Sequence, residues 1–152
     1  MVNNQINVKV KKLFDDVVLP EYKHKGDAGM DVRAYLPTEG SVVLAPGEKK
    51  VIRTGLAFKL KEGTQMEIRP RSGIATKHLV IIPNSPGTLD DGYTGPLGIC
   101  LTNLGTEDFT IEHGDRIAQL VFMPFFHANL QVVDELDETE RGDGGFGSTG
   151  VK

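Results

Sequence analysis

The chain has 152 residues, with 17 Lys and Arg against 21 Asp and Glu and a formal net charge of −4. That length suits one domain able to bury its own core. The acidic balance excludes the broad basic face of a nucleic-acid-binding domain, so any phosphate binding is local.

In chain order, apolar residues recur at every second position. Ile6, Val8 and Val10 suggest a first strand, and Leu56, Phe58 and Leu60 another, after a turn at Pro46-Gly47. Glu62-Gly63 separates that strand from Met66 and Ile68. Pro70 ends the strand, and Ser72 is placed to cap a short helix running to Lys77. Beyond the turn-rich run Pro83-Asn84-Ser85-Pro86-Gly87 come Leu97, Ile99 and Leu101, then Phe109 and Ile111, then Ile117 with Leu120-Val121-Phe122. The turns between them lie at Asn103-Leu104-Gly105 and His113-Gly114-Asp115. Short strands with frequent turns predict an all-β fold, a jelly-roll-like antiparallel sandwich or barrel with one short helix. The strands run from about residue 5 to 133, so the predicted domain is 1–133. An acidic linker and a flexible glycine-rich arm follow over 134–152.

No apolar run approaches the ~20 residues of a membrane span, and the first residues lack the pattern of a secretory leader. Cys100 is the only cysteine, which excludes an intramolecular disulfide framework and a cysteine-based zinc site. Its setting between Ile99 and Leu101 reads as a packed core thiol. His24, His78, His113 and His127 lack the spacing of a transition-metal site. A soluble protein of the reducing cytoplasm is expected, with neither nucleic acid nor membrane as partner.

Five short strings carry chemistry that strand alternation does not require. They are Ala28-Gly29-Met30-Asp31-Val32-Arg33-Ala34, Arg69-Pro70-Arg71-Ser72-Gly73, the loop from Asn84 to Gly95, Gly114 to Phe122, and the arm from Arg141 to Gly150. In the second, a guanidinium, a hydroxyl and a bare backbone N–H converge where a helix begins, which suits an anion. A surface Arg with a helix cap accounts for Ser72 but not for two arginines flanking a proline. The third frames backbone donors and acceptors with Gly and Pro, as base discrimination needs. The arm combines Arg141, Phe146, Gly147, Ser148 and Thr149, a composition able to fold over a phosphorylated ligand; taken in isolation, a flexible glycine-rich tail with one stray Phe is the alternative and the simpler reading. Asp115 and Arg116 read as a turn with structural pairing.

Together and in this order, the five strings resemble the trimeric dUTP pyrophosphatase (dUTPase) family. The resemblance implies a jelly-roll subunit, a homotrimer whose active sites draw on all three chains, Mg²⁺, and hydrolysis of dUTP to dUMP and pyrophosphate. Phosphate contacts would come from Arg71, Ser72, Gly73 and Gln119, with a solvent-facing strand glutamine as the alternative for Gln119, and uracil contacts from Asn84, Gly87, Thr88, Leu89 and Asp90. Tyr93 would pack under deoxyribose and leave no space for a 2′-OH; a corner residue anchoring the loop is the alternative. Asp90 would accept the 3′-OH and deprotonate the attacking water. Asp31 would help hold Mg²⁺ through water, with a turn-capping carboxylate as its alternative. From the arm, Phe146 would lie on uracil, and Arg141, Gly147, Ser148 and Thr149 at the phosphates.

The chain departs from the family's usual third string at Gly92, Thr94 and Pro96, and Leu79 replaces a common glycine after the helix. Two rivals share the fold class. A dCTP deaminase of the same superfamily would need a glutamate in the base pocket, and a non-enzymatic jelly-roll module would not need Asp90, Tyr93 and the arm intact.

Overall fold

The structure is a computed structural model, and it describes residues 5–145. Ten strands and one helix follow in order: β1 (Lys9–Lys12), β2 (Gly29–Arg33), β3 (Ser41–Leu44), β4 (Lys49–Lys59), β5 (Thr64–Arg69), α1 (Ser72–His78), β6 (Val80–Ile81), β7 (Gly87–Leu89), β8 (Pro96–Asn103), β9 (Phe109–Glu112) and β10 (Arg116–Pro124). They form one four-stranded sheet in the order β1-β4-β8-β6, a second in the order β2-β10-β5-β7, and the pair β3-β9. Every pairing is antiparallel. This is the expected jelly-roll-like, all-β architecture with a single short helix.

The inner faces of the sheets meet through Val32, Leu56, Met66, Ile99, Leu101, Ile117 and Leu120, all fully or almost fully buried. Each such side chain contributes on the order of 1.5–3 kcal/mol through removal from water. Strand β8 shows the period of two behind this arrangement: Leu97, Ile99 and Leu101 point inward, while Gly98 is exposed. The same alternation corrects the reading of Cys100. It stands one position out of phase with the core residues, so it is half-buried on the outer face opposite Val51.

Two other local expectations change. The first strand is an exposed edge, with Ile6 41 % and Val10 39 % accessible, because β1 pairs only with β4 and only Val8 of that apolar set packs on the core. Ser72 is not the helix cap: Arg71 holds the N-cap position in extended conformation, without a side-chain cap bond. The helix ends at Leu79, whose φ of 53° and ψ of 30° place it in the left-handed region that glycine adopts without strain.

A buried polar residue holds the far end of β8. Asn103 is fully buried; its amide donates to the carbonyls of Leu44 and Glu107, and its Oδ1 accepts from the Gly105 N–H. All three contacts measure 2.8 Å. A β-carbon at Gly105 would stand 2.7 Å from the His78 carbonyl oxygen, so this turn admits only glycine without a shift of backbone.

Past Pro124 no strand or helix follows among the described residues. Phe126, Leu130, Val132 and Leu136 are at least 87 % exposed in the single chain.

Candidate active site

A cavity of about 260 Å³ lies between the 83–95 loop and β8. Asn84, Gly87, Thr88, Leu89, Asp90 and Tyr93 line it from the loop side, with Ile68 and Ile82 below and Pro96 to Cys100 opposite. Strand β7 makes this wall polar. Its pairs with β5, Ile68↔Gly87 and Met66↔Leu89, use one backbone edge, and β7 is the last strand of its sheet. The N–H and C=O groups on its other edge have no strand partner and offer fixed donors and acceptors to a ligand. Gly87 lets the Asn84 amide approach closely, since a β-carbon there would stand 3.2 Å from Asn84 Nδ2.

The loop is anchored at both ends of its tip. The Tyr93 N–H donates to the Asp90 carbonyl at 3.1 Å, closing a turn that presents Asp90 and Tyr93 together. Asp91, which the sequence reading passed over, ties this turn to the β4–β5 connection. Its carboxylate accepts from the Gly63 N–H at 2.8 Å, and its carbonyl accepts from Lys59 Nζ at 2.7 Å. Beyond the turn, the Tyr93 hydroxyl donates to the Pro96 carbonyl at 3.0 Å. Tyr93 therefore does anchor the loop, and it lines the cavity as well.

A second cluster gathers the first, second and fourth strings. Asp31 accepts from Arg71 Nε at 2.8 Å on one oxygen and from Arg116 Nη1 at 3.0 Å on the other. Arg71 also donates to the Arg116 carbonyl at 3.2 Å. Arg116 thus pairs across β2–β10 rather than with its neighbour; Asp115 instead accepts from the Glu112 N–H within the turn. Gln119 donates from Nε2 to the Pro70 carbonyl at 2.9 Å and packs on Gly29, where a β-carbon would collide with its Oε1. Two guanidinium groups against one carboxylate leave a surplus positive charge beside the exposed Ser72 and Gly73. Arg69 is engaged separately, with Glu67 at 2.6 Å.

As a metal ligand, Asp31 fits only at second hand, because each of its oxygens already holds a guanidinium. Among the described residues no group of three or more His, Cys, Asp or Glu could hold a metal ion. The lone pairs left on Asp31 suit a water-mediated contact, which is what Mg²⁺ asks of a protein when phosphates supply its other ligands.

Strand register separates the two clusters within one chain. Thr88 pairs with Glu67 and Leu89 with Met66, so Asp90 continues towards the start of β5. Gln119 pairs with Arg69 at the opposite end of β5, and Arg71 lies beyond it. Four to six residues at about 3.3 Å each put roughly 13–20 Å between Asp90 and the phosphate-side cluster.

Arg141 joins neither cluster; it is exposed, with Nε donating to the Gly144 carbonyl at 2.9 Å. Phe146, Gly147, Ser148 and Thr149 lie outside the described residues. Neither Asp91 nor Arg116 is marked by its neighbours in sequence, because each acts on a strand distant in the chain.

The chain resembles known proteins in sequence and in fold. Residues 15–150 match the sequence profile of the dUTPase family. A deoxyuridine 5′-triphosphate nucleotidohydrolase of Clostridioides difficile is 49 % identical over 144 residues, covering 95 % of this chain and 98 % of that protein. One from Treponema denticola is 49 % identical over 140 residues, covering 92 % and 96 %. A mutant dUTPase of Staphylococcus bacteriophage 80alpha, solved with dUpNHpp, superposes with a TM-score of 0.86 at 33 % identity, covering 97 % of this chain and all of that one. A mutant dUTPase from phage phi11 of S. aureus, described for its coordination of a structural Mg(II) ion, gives 0.76 at 30 % identity, covering 86 % and 98 %. On this sequence match and this fold, the chain belongs to the dUTPase family.

Proposed function

We propose that the protein hydrolyses dUTP to dUMP and pyrophosphate by water attack on the α-phosphorus, in sites shared between the chains of a homotrimer. The observation that carries this reading is the cavity in which the free edge of β7, Asp90 and Tyr93 meet. Uracil presents an acceptor at O4 and a donor at N3, and cytosine reverses both, so a fixed backbone edge matched to uracil leaves cytosine with unpaired buried groups. Among the described residues no glutamate lines the cavity, which disfavours the deaminase rival.

Asp90 accepts the water's proton as the new oxygen–phosphorus bond forms, and the bridging bond to the β-phosphate breaks to release pyrophosphate. Its place next to Tyr93, which packs against deoxyribose, holds the carboxylate within reach of the 3′-OH and the α-phosphate. Asn84, Gly87, Thr88 and Leu89 orient the base. Arg71, Ser72, Gly73 and Gln119 supply positive charge and donors to the phosphate chain. Asp31 would help hold Mg²⁺ through water, with the triphosphate as the main ligand, and the ion would supply neutralisation of phosphate charge. The arm, with Arg141, Phe146, Gly147, Ser148 and Thr149, closes over the nucleotide and excludes surplus water.

The trimer reading rests on two features. Asp90 and Arg71 of one chain lie towards opposite ends of β5, which suits a site assembled from Asp90 of one chain and Arg71 of another. The exposed Phe126, Leu130, Val132 and Leu136 form an apolar segment suited to a neighbouring chain. In a cell the reaction would limit uracil incorporation into DNA and supply dUMP for thymidylate synthesis, in the cytoplasm. Turnover in heavy-oxygen water tests the chemistry: the label is expected in dUMP, and label in pyrophosphate would place the attack at the β-phosphorus instead.

A further inference from the structure

Tyr93 is 48 % exposed, so burial does not hold its ring. Two local features do. Its hydroxyl donates to the Pro96 carbonyl at 3.0 Å, and the ring lies directly over Gly95. A β-carbon at Gly95 would stand 2.5 Å from the Tyr93 hydroxyl oxygen, 2.7 Å from Cζ and 3.1 Å from Cε2. Gly95 is not among the glycines with positive φ, so its backbone conformation is open to any residue. Space for the ring is the reason for glycine there.

Pro96 completes the clamp. Its ring restricts its own φ, and it is paired opposite Ala57 in β4, so its carbonyl is a fixed acceptor. Gly92, in the same turn, is different: a β-carbon there meets nothing within 4 Å.

We propose that Gly95 is a positioning residue for sugar selection. By having no side chain it lets Tyr93 fold back onto the Gly95–Pro96 backbone and stand as a fixed wall of the cavity. A wall excludes a 2′-OH only while it cannot move, since one extra oxygen is accommodated by a small displacement of a loose ring. An alanine at Gly95 would push the ring off the Pro96 carbonyl and leave the strands untouched, because the atoms it meets belong to the far end of one side chain. This inference rests on the reading of Tyr93 as the deoxyribose contact.

The test is the ratio of kcat/KM for dUTP to that for UTP in four variants, each checked for folding by thermal denaturation. Tyr93→Ala is expected to lower the ratio most. Gly95→Ala is expected to lower it roughly 10-fold or more, chiefly by raising turnover of UTP. Tyr93→Phe, which loses the tether without adding an atom, should fall in between, and Gly92→Ala should leave the ratio unchanged. An unchanged ratio in Tyr93→Ala would overturn the sugar reading and this inference together. A lowered ratio in Tyr93→Ala beside an unchanged one in folded Gly95→Ala would overturn the positioning role of Gly95 alone. If Gly95→Ala does not fold, a wild-type ratio in Tyr93→Phe overturns the clamp.

Discussion

Asp31 and Arg71, forty residues apart in sequence, are joined at 2.8 Å, and the other oxygen of Asp31 binds Arg116 at 3.0 Å. One carboxylate on β2 therefore aims the arginine that follows β5 and the one that opens β10. Its side chain is 19 % exposed, and those of Arg71 and Arg116 are 26 % and 39 % exposed. Solvent screens the pairs in part, so their worth is modest, about 1 kcal/mol each at most.

Asp31→Asn keeps the shape and removes the charge that orients both guanidinium groups. Stability should fall by about 1–2 kcal/mol in urea denaturation, a figure that includes the uncompensated repulsion between the arginines. Nucleotide affinity should fall more steeply than stability suggests, measured by calorimetry without metal. Unchanged affinity in that assay would show that Arg71 and Arg116 do not depend on Asp31 for their placement.

Asn103 gives a prediction confined to the fold. Asn103→Ala leaves the carbonyls of Leu44 and Glu107 and the N–H of Gly105 without their partner in a dry interior. The expected loss is roughly 2–4 kcal/mol by denaturant titration, with turnover per folded molecule little changed. A loss under about 0.5 kcal/mol would mean that water replaces the amide.

Much of this was legible in the sequence. The alternation at Leu97, Ile99 and Leu101 and at Met66 and Ile68 fixed both strands and their inward faces, because burial on one side of a sheet imposes a period of two. Loop residues from Asn84 to Tyr93 were legible as one cavity wall because they are contiguous. Contacts between distant strands were not. Nothing near Arg116 says that its partner is Asp31, and Asp91 gains its role only because the β4–β5 turn folds beneath it. Cys100 was misplaced because apolar neighbours suggested a core, although the phase of β8 sets it on the outer face. The Ser72 cap failed because the turn into α1 places Arg71, not Ser72, at the extended position before the first helical residue.

The separation along β5 makes a prediction about mixed assemblies. Asp90→Asn should lose about 10²–10⁴-fold in kcat while still binding nucleotide, and Arg71→Ala should bind it poorly. When the two inactive variants are unfolded and refolded together, about a quarter of sites in a random mixture receive both intact residues from different chains. Activity should return to that level. No recovery, with mixed trimers verified by mass, would place Asp90 and Arg71 of a single chain in the same site.

The central claim is the specific hydrolysis of dUTP, and a panel of dUTP, dCTP, dTTP and UTP with pyrophosphate detection tests it most directly, with and without Mg²⁺. The account predicts dUMP and pyrophosphate from dUTP in the presence of Mg²⁺, with the other three nucleotides largely intact. Comparable turnover of dCTP or UTP, or orthophosphate as the first product, would contradict it.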